Sequence, residues 1–214
     1  MIIRTVEFAK SGTRREHYPH DAFPQVAFVG RSNVGKSSLL NTLCNRKRLA
    51  HVSNTPGRTQ LVNFFTVNSE LYFVDLPGYG FAKAPGNVRT TWEKMIVNYL
   101  KGNARLRLVM ALFDARRTPT DEDLALLDWL EHYQLPFTAV MTKADKLTRS
   151  GQAQALAALK KTLASRHPVA VHLFSSQTRQ GKEAILETIG DVLKPVEDDE
   201  GAGGTDDLDD LDRP

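Results

Sequence analysis

The chain has 214 residues, of which 41% are hydrophobic, and its mean hydropathy is −0.34. Its longest apolar run, Leu108 to Phe113, is far too short to span a bilayer, and the N-terminus lacks a signal-peptide pattern. The single cysteine, Cys44, excludes an internal disulfide and any site built from several cysteines. We therefore expect one domain of ordinary size in the cytoplasm, without membrane contact.

Charge is divided unevenly along the chain, whose net charge is +3. Residues 197–214 contain nine acidic residues and one basic residue, which leaves 27 basic and 16 acidic residues in residues 1–196. This body, with a net charge of +11, suits a partner such as RNA or a ribosome, and general solubility is the alternative explanation. The acidic tail, residues 196–214, has almost no aromatic or β-branched residues and is predicted to be disordered.

Strands and helices alternate along residues 25–195, which we interpret as one domain. Strands are predicted at residues 25–30, 61–67, 71–75, 107–114, 137–142 and 169–174, with a hairpin turn at 68–70. Helices are predicted at residues 36–44, 88–101, 118–133, 151–165 and 182–193, with Pro119 at the first helical position of the third. This order predicts an α/β fold, a mostly parallel sheet with helices on both faces. Residues 1–24 are predicted to form an N-terminal extension packed on the domain.

A glycine-rich motif stands between the first predicted strand and the first predicted helix. Its residues are Gly30, Arg31, Ser32, Asn33, Val34, Gly35, Lys36 and Ser37, which match G-x-x-x-x-G-K-[ST]. In such a loop, backbone N–H groups surround phosphate oxygens, the lysine reaches the β- and γ-phosphates, and the serine hydroxyl binds Mg²⁺. A turn that only begins a helix is the alternative, but the preceding strand favours a phosphate-binding loop.

Two further segments fit the γ-phosphate end of such a site. Asp75, Leu76, Pro77 and Gly78 follow a predicted strand, so the carboxylate would hold Mg²⁺ through water and the Gly78 N–H would contact a γ-phosphate. The spacing D-x-x-G also arises by chance, and only its strand context supports this interpretation. Thr59, in the segment TPGRTQ, would complete the Mg²⁺ shell only with a γ-phosphate present, and an ordinary Pro-Gly turn is the alternative.

A candidate base-recognition segment follows the fifth predicted strand. It consists of Thr142, Lys143, Ala144 and Asp145. An aspartate carboxylate accepts two hydrogen bonds from guanine, a donor pair that adenine lacks, and the Lys143 stem would cover the flat base while its head reaches the phosphate loop. Ser175 and Ser176, after the last predicted strand, would offer further polar groups to the base.

Taken together, these motifs closely resemble those of one family. The segments GRSNVGKSSLLN (30–41), TPGRTQ (55–60), DLPGYGFA (75–82), TKAD (142–145) and FSS (174–176) are similar to those of the EngB family of bacterial ribosome-biogenesis GTPases. The resemblance implies a Ras-like P-loop GTPase domain with a six-stranded sheet, binding of GTP or GDP with Mg²⁺, and slow GTP hydrolysis. It also implies a monomer that acts in assembly of the large ribosomal subunit, in contact with that subunit or its rRNA, and that is needed for normal cell division and septation.

The resemblance also assigns roles to individual residues. The Mg²⁺ ligands would be Ser37 and Thr59, and the catalytic residues would be Lys36, Thr59 and Asn33. The first switch would comprise Gly57, Arg58, Thr59, Gln60 and Leu61, and the base would be held by residues 142–145 together with Phe174, Ser175 and Ser176. In related loops an asparagine at the position of Asn33 helps to seat K⁺ near the phosphates, which makes K⁺ a candidate cofactor, and a bracing amide is the alternative.

Two residues depart from the wider GTPase pattern. Thr142 replaces the usual asparagine, which is expected to remove an amide that ties the loops together. Tyr79 stands where Ras-type enzymes place the glutamine that orients the attacking water, so intrinsic hydrolysis is predicted to be very slow.

Three kinds of function are compatible with a P-loop. A GTPase switch that docks on rRNA is favoured. A metabolic phosphotransferase or P-loop ATPase is disfavoured, because K-x-D reads guanine and no lid with clustered arginines is present in the sequence. The third possibility is a scaffold of the division machinery, in which GTP gates protein–protein contact without RNA.

Overall fold

The computed structural model describes residues 1–49, 61–80 and 95–194, and its strands form one seven-stranded sheet. In chain order the strands are β1 (Val6–Gly12), β2 (Gln25–Gly30), β3 (Val62–Val67), β4 (Leu71–Asp75), β5 (Leu106–Asp114), β6 (Phe137–Thr142) and β7 (Ala170–Leu173). Their order across the sheet is β1-β3-β4-β2-β5-β6-β7. The pairs β1–β3 and β3–β4 are antiparallel, and all other neighbours are parallel. The carboxyl ends of the five parallel strands therefore meet at one edge.

Helices cover both faces of this sheet. They are α1 (Lys36–Leu43), α2 (residues 95–100), α3 (Asp121–His132), α4 (Arg149–Thr162) and α5 (Lys182–Leu193). Phe28 and Val29, neighbours in β2, belong to two different apolar clusters, as alternation along a strand requires. The Phe28 cluster contains residues of α1 and α5, and the Val29 cluster contains residues of α2, α3 and α4. The predicted α/β class is confirmed.

The sheet has seven strands where six were predicted, because part of the N-terminal extension joins it. β1 pairs along β3 from Val6 opposite Val67 to Gly12 opposite Val62. The Asn68 side-chain oxygen accepts hydrogen bonds from the Arg4 and Thr5 N–H groups, at 2.8 and 3.2 Å. Only the first and last residues of β1 are buried, so the sequence shows little alternation there. The strand depends instead on backbone pairing with a distant segment.

Helix α3 begins later than predicted. Pro119 does not occupy its first position, because Thr120 is the N-cap and Asp121 is the first helical residue. The Thr120 side chain accepts a hydrogen bond from the Asp123 N–H, and the Asp123 carboxylate accepts one from the Thr120 N–H. This reciprocal capping box satisfies two donors that a helix start would otherwise leave unpaired, and it decides where α3 begins.

The other predicted elements agree with the structure to within three residues at each end. Of the predicted helix 88–101, residues 88–94 lie outside the described residues, as does the acidic tail 196–214. Within the part of the chain that the structure describes, no helix combines the length and apolar character needed to cross a membrane.

Candidate functional site

The glycine-rich loop connects β2 to α1 at the carboxyl edge of the sheet, and close packing dictates its glycines. A Cβ atom at Gly30 would lie 2.9 Å from the Leu112 carbonyl oxygen, so the end of β2 can approach β5 only without a side chain. Gly35 is the N-cap of α1 and has φ +112°, a conformation that favours glycine. The backbone of the loop and the N-terminus of α1 therefore lie side by side, and this geometry is suited to binding an anion.

Two opposite charges meet beside this loop. Lys36, the first residue of α1, forms an ion pair with Asp75, the last residue of β4. Their side chains are only 12% and 11% exposed, so the pair is largely removed from water. Ser37 follows Lys36 in α1, and a serine hydroxyl with a carboxylate supplies the hard oxygen ligands that Mg²⁺ prefers. This donor set fits a magnesium ion.

The segment after β4 packs closely against the glycine-rich loop. A Cβ atom at Gly78 would lie 3.1 Å from both the Cα and the N of Ser32, so a side chain there would push the two segments apart. The Tyr79 N–H donates to the Gly30 carbonyl at 3.2 Å, and the Ser32 N–H donates to the Tyr79 carbonyl at 2.7 Å. These contacts bring the predicted γ-phosphate residue directly beside the predicted phosphate loop.

Thr142 ties the loops together through its hydroxyl, although it lacks the amide of the usual asparagine. Its side chain is buried, and its hydroxyl lies 2.5 Å from the Val34 carbonyl oxygen and 3.0 Å from that of Phe113. One hydroxyl proton thus links β6 to the glycine-rich loop and to β5. A threonine can replace the amide because Val34 lies close enough for its shorter side chain to reach.

Lys143 spans the gap between the loop and the end of β5. Its ammonium group donates to the Asn33 carbonyl at 2.7 Å and to the Asp114 carboxylate at 2.9 Å. Arg116 donates two more hydrogen bonds to that carboxylate, at 2.7 and 2.9 Å. Burial raises the pKa of Asp114, but the hydrogen bonds from Arg116 and Lys143 outweigh burial and hold the pKa well below its usual range. No sequence motif singles out Asp114 or Arg116, although the aspartate ends a buried strand as Asp75 does.

Asp145 is held in place by the loop after β7. The Ser175 hydroxyl donates to the Asp145 carboxylate at 2.7 Å, and this bond is the main cause of the lowered pKa of Asp145. The Ser175 oxygen also accepts the N–H groups of Gln177 and Thr178, at 3.1 and 3.2 Å. Ser175 therefore orients the Asp145 carboxylate. The position of Ser175 in the sequence indicated only a polar group near the base. The Ala144 N–H donates to the Phe174 carbonyl at 3.0 Å.

Tyr79 turns its side chain into the protein. Its ring is buried, and its hydroxyl donates to the Asp123 carboxylate at 2.6 Å. Asp123 borders the site, but none of the sequence motifs includes it. The T-x-x-D capping pattern at residues 120–123 was the signal that could have indicated it. Asp123, Gly80 and Arg31 also line a cleft of about 430 Å³ beside the glycine-rich loop.

The structure does not reach every residue of the predicted site. Gly57, Arg58, Thr59 and Gln60 lie outside the described residues, and Leu61 is 37% exposed just before β3. The remaining predicted residues come from the loops that follow β2, β4, β6 and β7, and these loops lie along the same edge of the sheet.

Comparison with known proteins agrees with this geometry. A family model described as "50S ribosome-binding GTPase" matches residues 25–143, more than half of the chain. The chain is 53% identical over 189 residues to a probable GTP-binding protein EngB of Syntrophus aciditrophicus, covering 88% of this chain and 95% of the relative. It is 47% identical over 203 residues to the protein of the same name from Geotalea daltonii, covering 95% and 97%.

Solved structures share the fold. A crystal structure of a probable GTP-binding protein engB superimposes with a TM-score of 0.67 at 21% identity, covering 78% of this chain and 97% of that chain. Era from Aquifex aeolicus, solved with GDP and aluminium fluoride, gives a TM-score of 0.63 at 20% identity, covering 81% and 57%. The fold and the glycine-rich loop therefore define a Ras-like P-loop GTPase. Within that class, the chain belongs to the EngB family of GTP-binding proteins, which confirms the predicted family and enzyme class.

Proposed function

We propose that this GTPase hydrolyses GTP slowly with Mg²⁺ and acts as a switch in assembly of the large ribosomal subunit. It works as a cytoplasmic monomer that contacts that subunit or its rRNA according to the bound nucleotide, and normal cell division and septation depend on it. Membership of a family described as "50S ribosome-binding" supports the partner. The net charge of +11 on residues 1–196 supports contact with phosphate groups.

The ion pair between Lys36 and Asp75 is the observation that carries this proposal. Each side chain is nearly buried and balances the other's charge. When the phosphates of GTP approach, Lys36 turns to the β- and γ-phosphates and Asp75 must take a new partner. Ser37 and Thr59 would hold Mg²⁺, which would neutralise phosphate charge, and the Asp75 carboxylate would help to hold that ion. The end of β4 is therefore coupled to the bound nucleotide, as a switch requires.

In this proposal, guanine is recognised by residues whose hydrogen bonds to the protein are formed before the nucleotide binds. Ser175 orients the Asp145 carboxylate, which accepts the two guanine donors. Lys143 is anchored at its ammonium group by Asn33 and Asp114, so its aliphatic stem is held alongside the base. Phe174 supports this arrangement through the bond from its carbonyl to the Ala144 N–H.

Slow hydrolysis follows from the position of Tyr79. Its hydroxyl donates to the buried Asp123 carboxylate, away from any attacking water, so the protein supplies no group at the glutamine position. Asn33, exposed at the turn of the loop with φ 62°, is proposed to seat K⁺ near the phosphates and to supply the missing positive charge. Equal single-turnover rates in K⁺ and Na⁺, with Asn33→Ala unchanged, would exclude this role for potassium.

The decisive experiment is co-sedimentation of the full chain with purified 50S and 30S subunits at two salt concentrations. The protein should pellet with 50S subunits when a non-hydrolysable GTP analogue is bound, much less with GDP, and less at high salt. A scaffold of the division machinery that is gated by GTP without RNA contact is the competing function. Absence of nucleotide-dependent pelleting with either subunit would favour that scaffold.

A further inference from the structure

Tyr79 is held by hydrogen bonds at three of its groups: the N–H, the carbonyl and the hydroxyl. A residue of a freely moving switch would need fewer such bonds. Its N–H donates to the Gly30 carbonyl, and its carbonyl accepts from the Ser32 N–H, both in the glycine-rich loop. Residues 31 and 79 therefore form an isolated parallel β-bridge. The Tyr79 hydroxyl donates to Asp123 at 2.6 Å. Burial, followed by the nearby Asp123 charge, raises the pKa of Tyr79 far above its usual value, so the hydroxyl keeps its proton and remains a donor.

Asp123 is itself a rigid anchor. One of its oxygens accepts the Thr120 N–H at 2.8 Å and faces the Thr120 hydroxyl at 3.0 Å, and the other accepts Tyr79. The aspartate is 5% exposed and belongs to the first turn of α3. A buried carboxylate held by several donors has little freedom to move, because each lost bond leaves it with an unsatisfied charge.

Gly78 is fixed through its neighbour Tyr79 as a result. Tyr79 is held by Asp123 through its hydroxyl and by Gly30 and Ser32 through its backbone. A Cβ atom at Gly78 would lie 3.1 Å from the Ser32 backbone, so a side chain there would force the two segments to shift. A backbone N–H that is fixed before a phosphate arrives binds it more tightly, because no ordering remains to be done on binding.

We propose that Tyr79 is a positioning residue for the γ-phosphate: its hydroxyl bond to Asp123 holds the Gly78 N–H against the glycine-rich loop and thereby raises the affinity for GTP relative to GDP. This inference rests on the proposed role of Gly78 as the γ-phosphate contact. A residue that replaces the water-orienting glutamine of Ras-type enzymes thus contributes to nucleotide discrimination instead of to hydrolysis.

The test is the affinity of Tyr79→Phe for a fluorescent GDP and for a fluorescent non-hydrolysable GTP analogue, each with Mg²⁺. Phenylalanine keeps the ring packing and removes only the hydroxyl. Affinity for the GTP analogue should fall about fivefold or more, as expected for loss of one hydrogen bond to a charged group. Affinity for GDP should stay within about twofold, because GDP has no γ-phosphate to contact Gly78. Equal changes for both nucleotides, or none, would overturn the proposal.

Two further variants separate positioning from stability. Asp123→Asn weakens the same bond from the other side by removing the carboxylate charge, and the double variant should shift the GTP-to-GDP affinity ratio no further than Tyr79→Phe alone. Thr120→Ala removes one hydroxyl contact to Asp123 and weakens the cap of α3, but it keeps the Thr120 N–H bond to Asp123 and the Tyr79–Asp123 bond. It should therefore lower the melting temperature and change the ratio much less than Tyr79→Phe does. If Thr120→Ala changes the ratio as Tyr79→Phe does, the effect belongs to the cap and the proposal is wrong.

Gly78→Ala distinguishes failure of this inference from failure of the proposed γ-phosphate contact. Its new Cβ would crowd the Ser32 backbone and disturb the Gly78 N–H directly, so it should shift the same affinity ratio. If Gly78→Ala shifts the ratio and Tyr79→Phe does not, the contact stands and only the role of Tyr79 is refuted. If neither shifts it, the contact at Gly78 is refuted as well.

Discussion

The two ends of the nucleotide site are built from different interactions. At the base end, Asp145 is oriented by Ser175, and Lys143 is anchored by Asn33 and Asp114. None of these bonds must break when guanine binds. At the phosphate end, Lys36 and Asp75 neutralise each other, and in the proposed mechanism both would change partners when phosphates and Mg²⁺ bind.

In the proposed function, this difference assigns recognition of guanine to the base end and the conformational switch to the phosphate end. A preorganised base end gives the same specificity in every nucleotide state, because its geometry does not depend on the phosphates. In the proposed mechanism, an exchange of charged partners at the phosphate end would make the conformation after β4 depend on the bound nucleotide. The four changes below test this division, beginning with the largest expected effect.

Asp145→Asn should alter base specificity most strongly. The amide cannot accept both guanine donors, so affinity for GDP should fall about a hundredfold or more, and affinity for xanthosine diphosphate should rise. Titration with fluorescent nucleotides measures both. Asp128→Asn, which changes an exposed aspartate paired with Arg166, is the matched control and should change neither affinity. Unchanged specificity in Asp145→Asn would refute the assignment of the base end.

Thr142→Val should destabilise the base end without changing its charges. Valine has nearly the shape of threonine but leaves the Val34 carbonyl without its hydroxyl donor, at a cost of about 2 kcal/mol in the free energy of unfolding. Urea denaturation of the nucleotide-free protein measures this loss. Thr142→Ser keeps the hydroxyl and should retain most of the stability. Equal stability of the valine and serine variants would mean that the hydrogen bond from the Thr142 hydroxyl does not stabilise the protein.

Asp75→Ala should affect the two nucleotide states differently. Without its carboxylate partner, Lys36 is free to meet phosphates, so GDP affinity in EDTA should be unchanged or higher. Affinity for the GTP analogue with Mg²⁺ should fall about tenfold, because the carboxylate that holds the hydrated ion is lost. Stopped-flow binding with and without Mg²⁺ compares the two states. A parallel loss in both would contradict the exchange of partners.

Asp114→Asn should produce the smallest effect, and one that depends on pH. Because the folded pKa of Asp114 lies below the unfolded value of about 4, its stabilisation is complete above that pH and is lost as the pH falls toward the folded value. The wild type should therefore be more stable than the variant by about 1 kcal/mol at pH 7. The difference in the free energy of unfolding should stay constant from pH 7 to about 5 and should shrink as the pH falls below about 4, and a difference that does not shrink would exclude the linkage.

Much of the fold could be predicted from local patterns. The strand–loop–helix around residues 25–44 and the hairpin at 62–75 are encoded by neighbouring residues, and they are found nearly where expected. β1 could not be predicted as a sheet strand with the same clarity, since it depends on pairing with β3 more than fifty residues away. The start of α3 was mispredicted for a different reason: the Thr120–Asp123 box was present in the sequence, but Pro119 provided a competing start signal.

The sequence by itself determined which chemical groups this protein can bring to a nucleotide: a glycine-rich loop with Lys36 and Ser37, an Asp145 that is predicted to read guanine, and a tyrosine instead of a glutamine directly after Gly78. Spacing sufficed because those motifs act through the backbone and through residues a few positions apart. Only the tertiary structure decided the pairings, such as Lys36 with Asp75 and Tyr79 with Asp123. These residues are 39 and 44 positions apart, and they meet because the sheet order places their strands and loops at one edge.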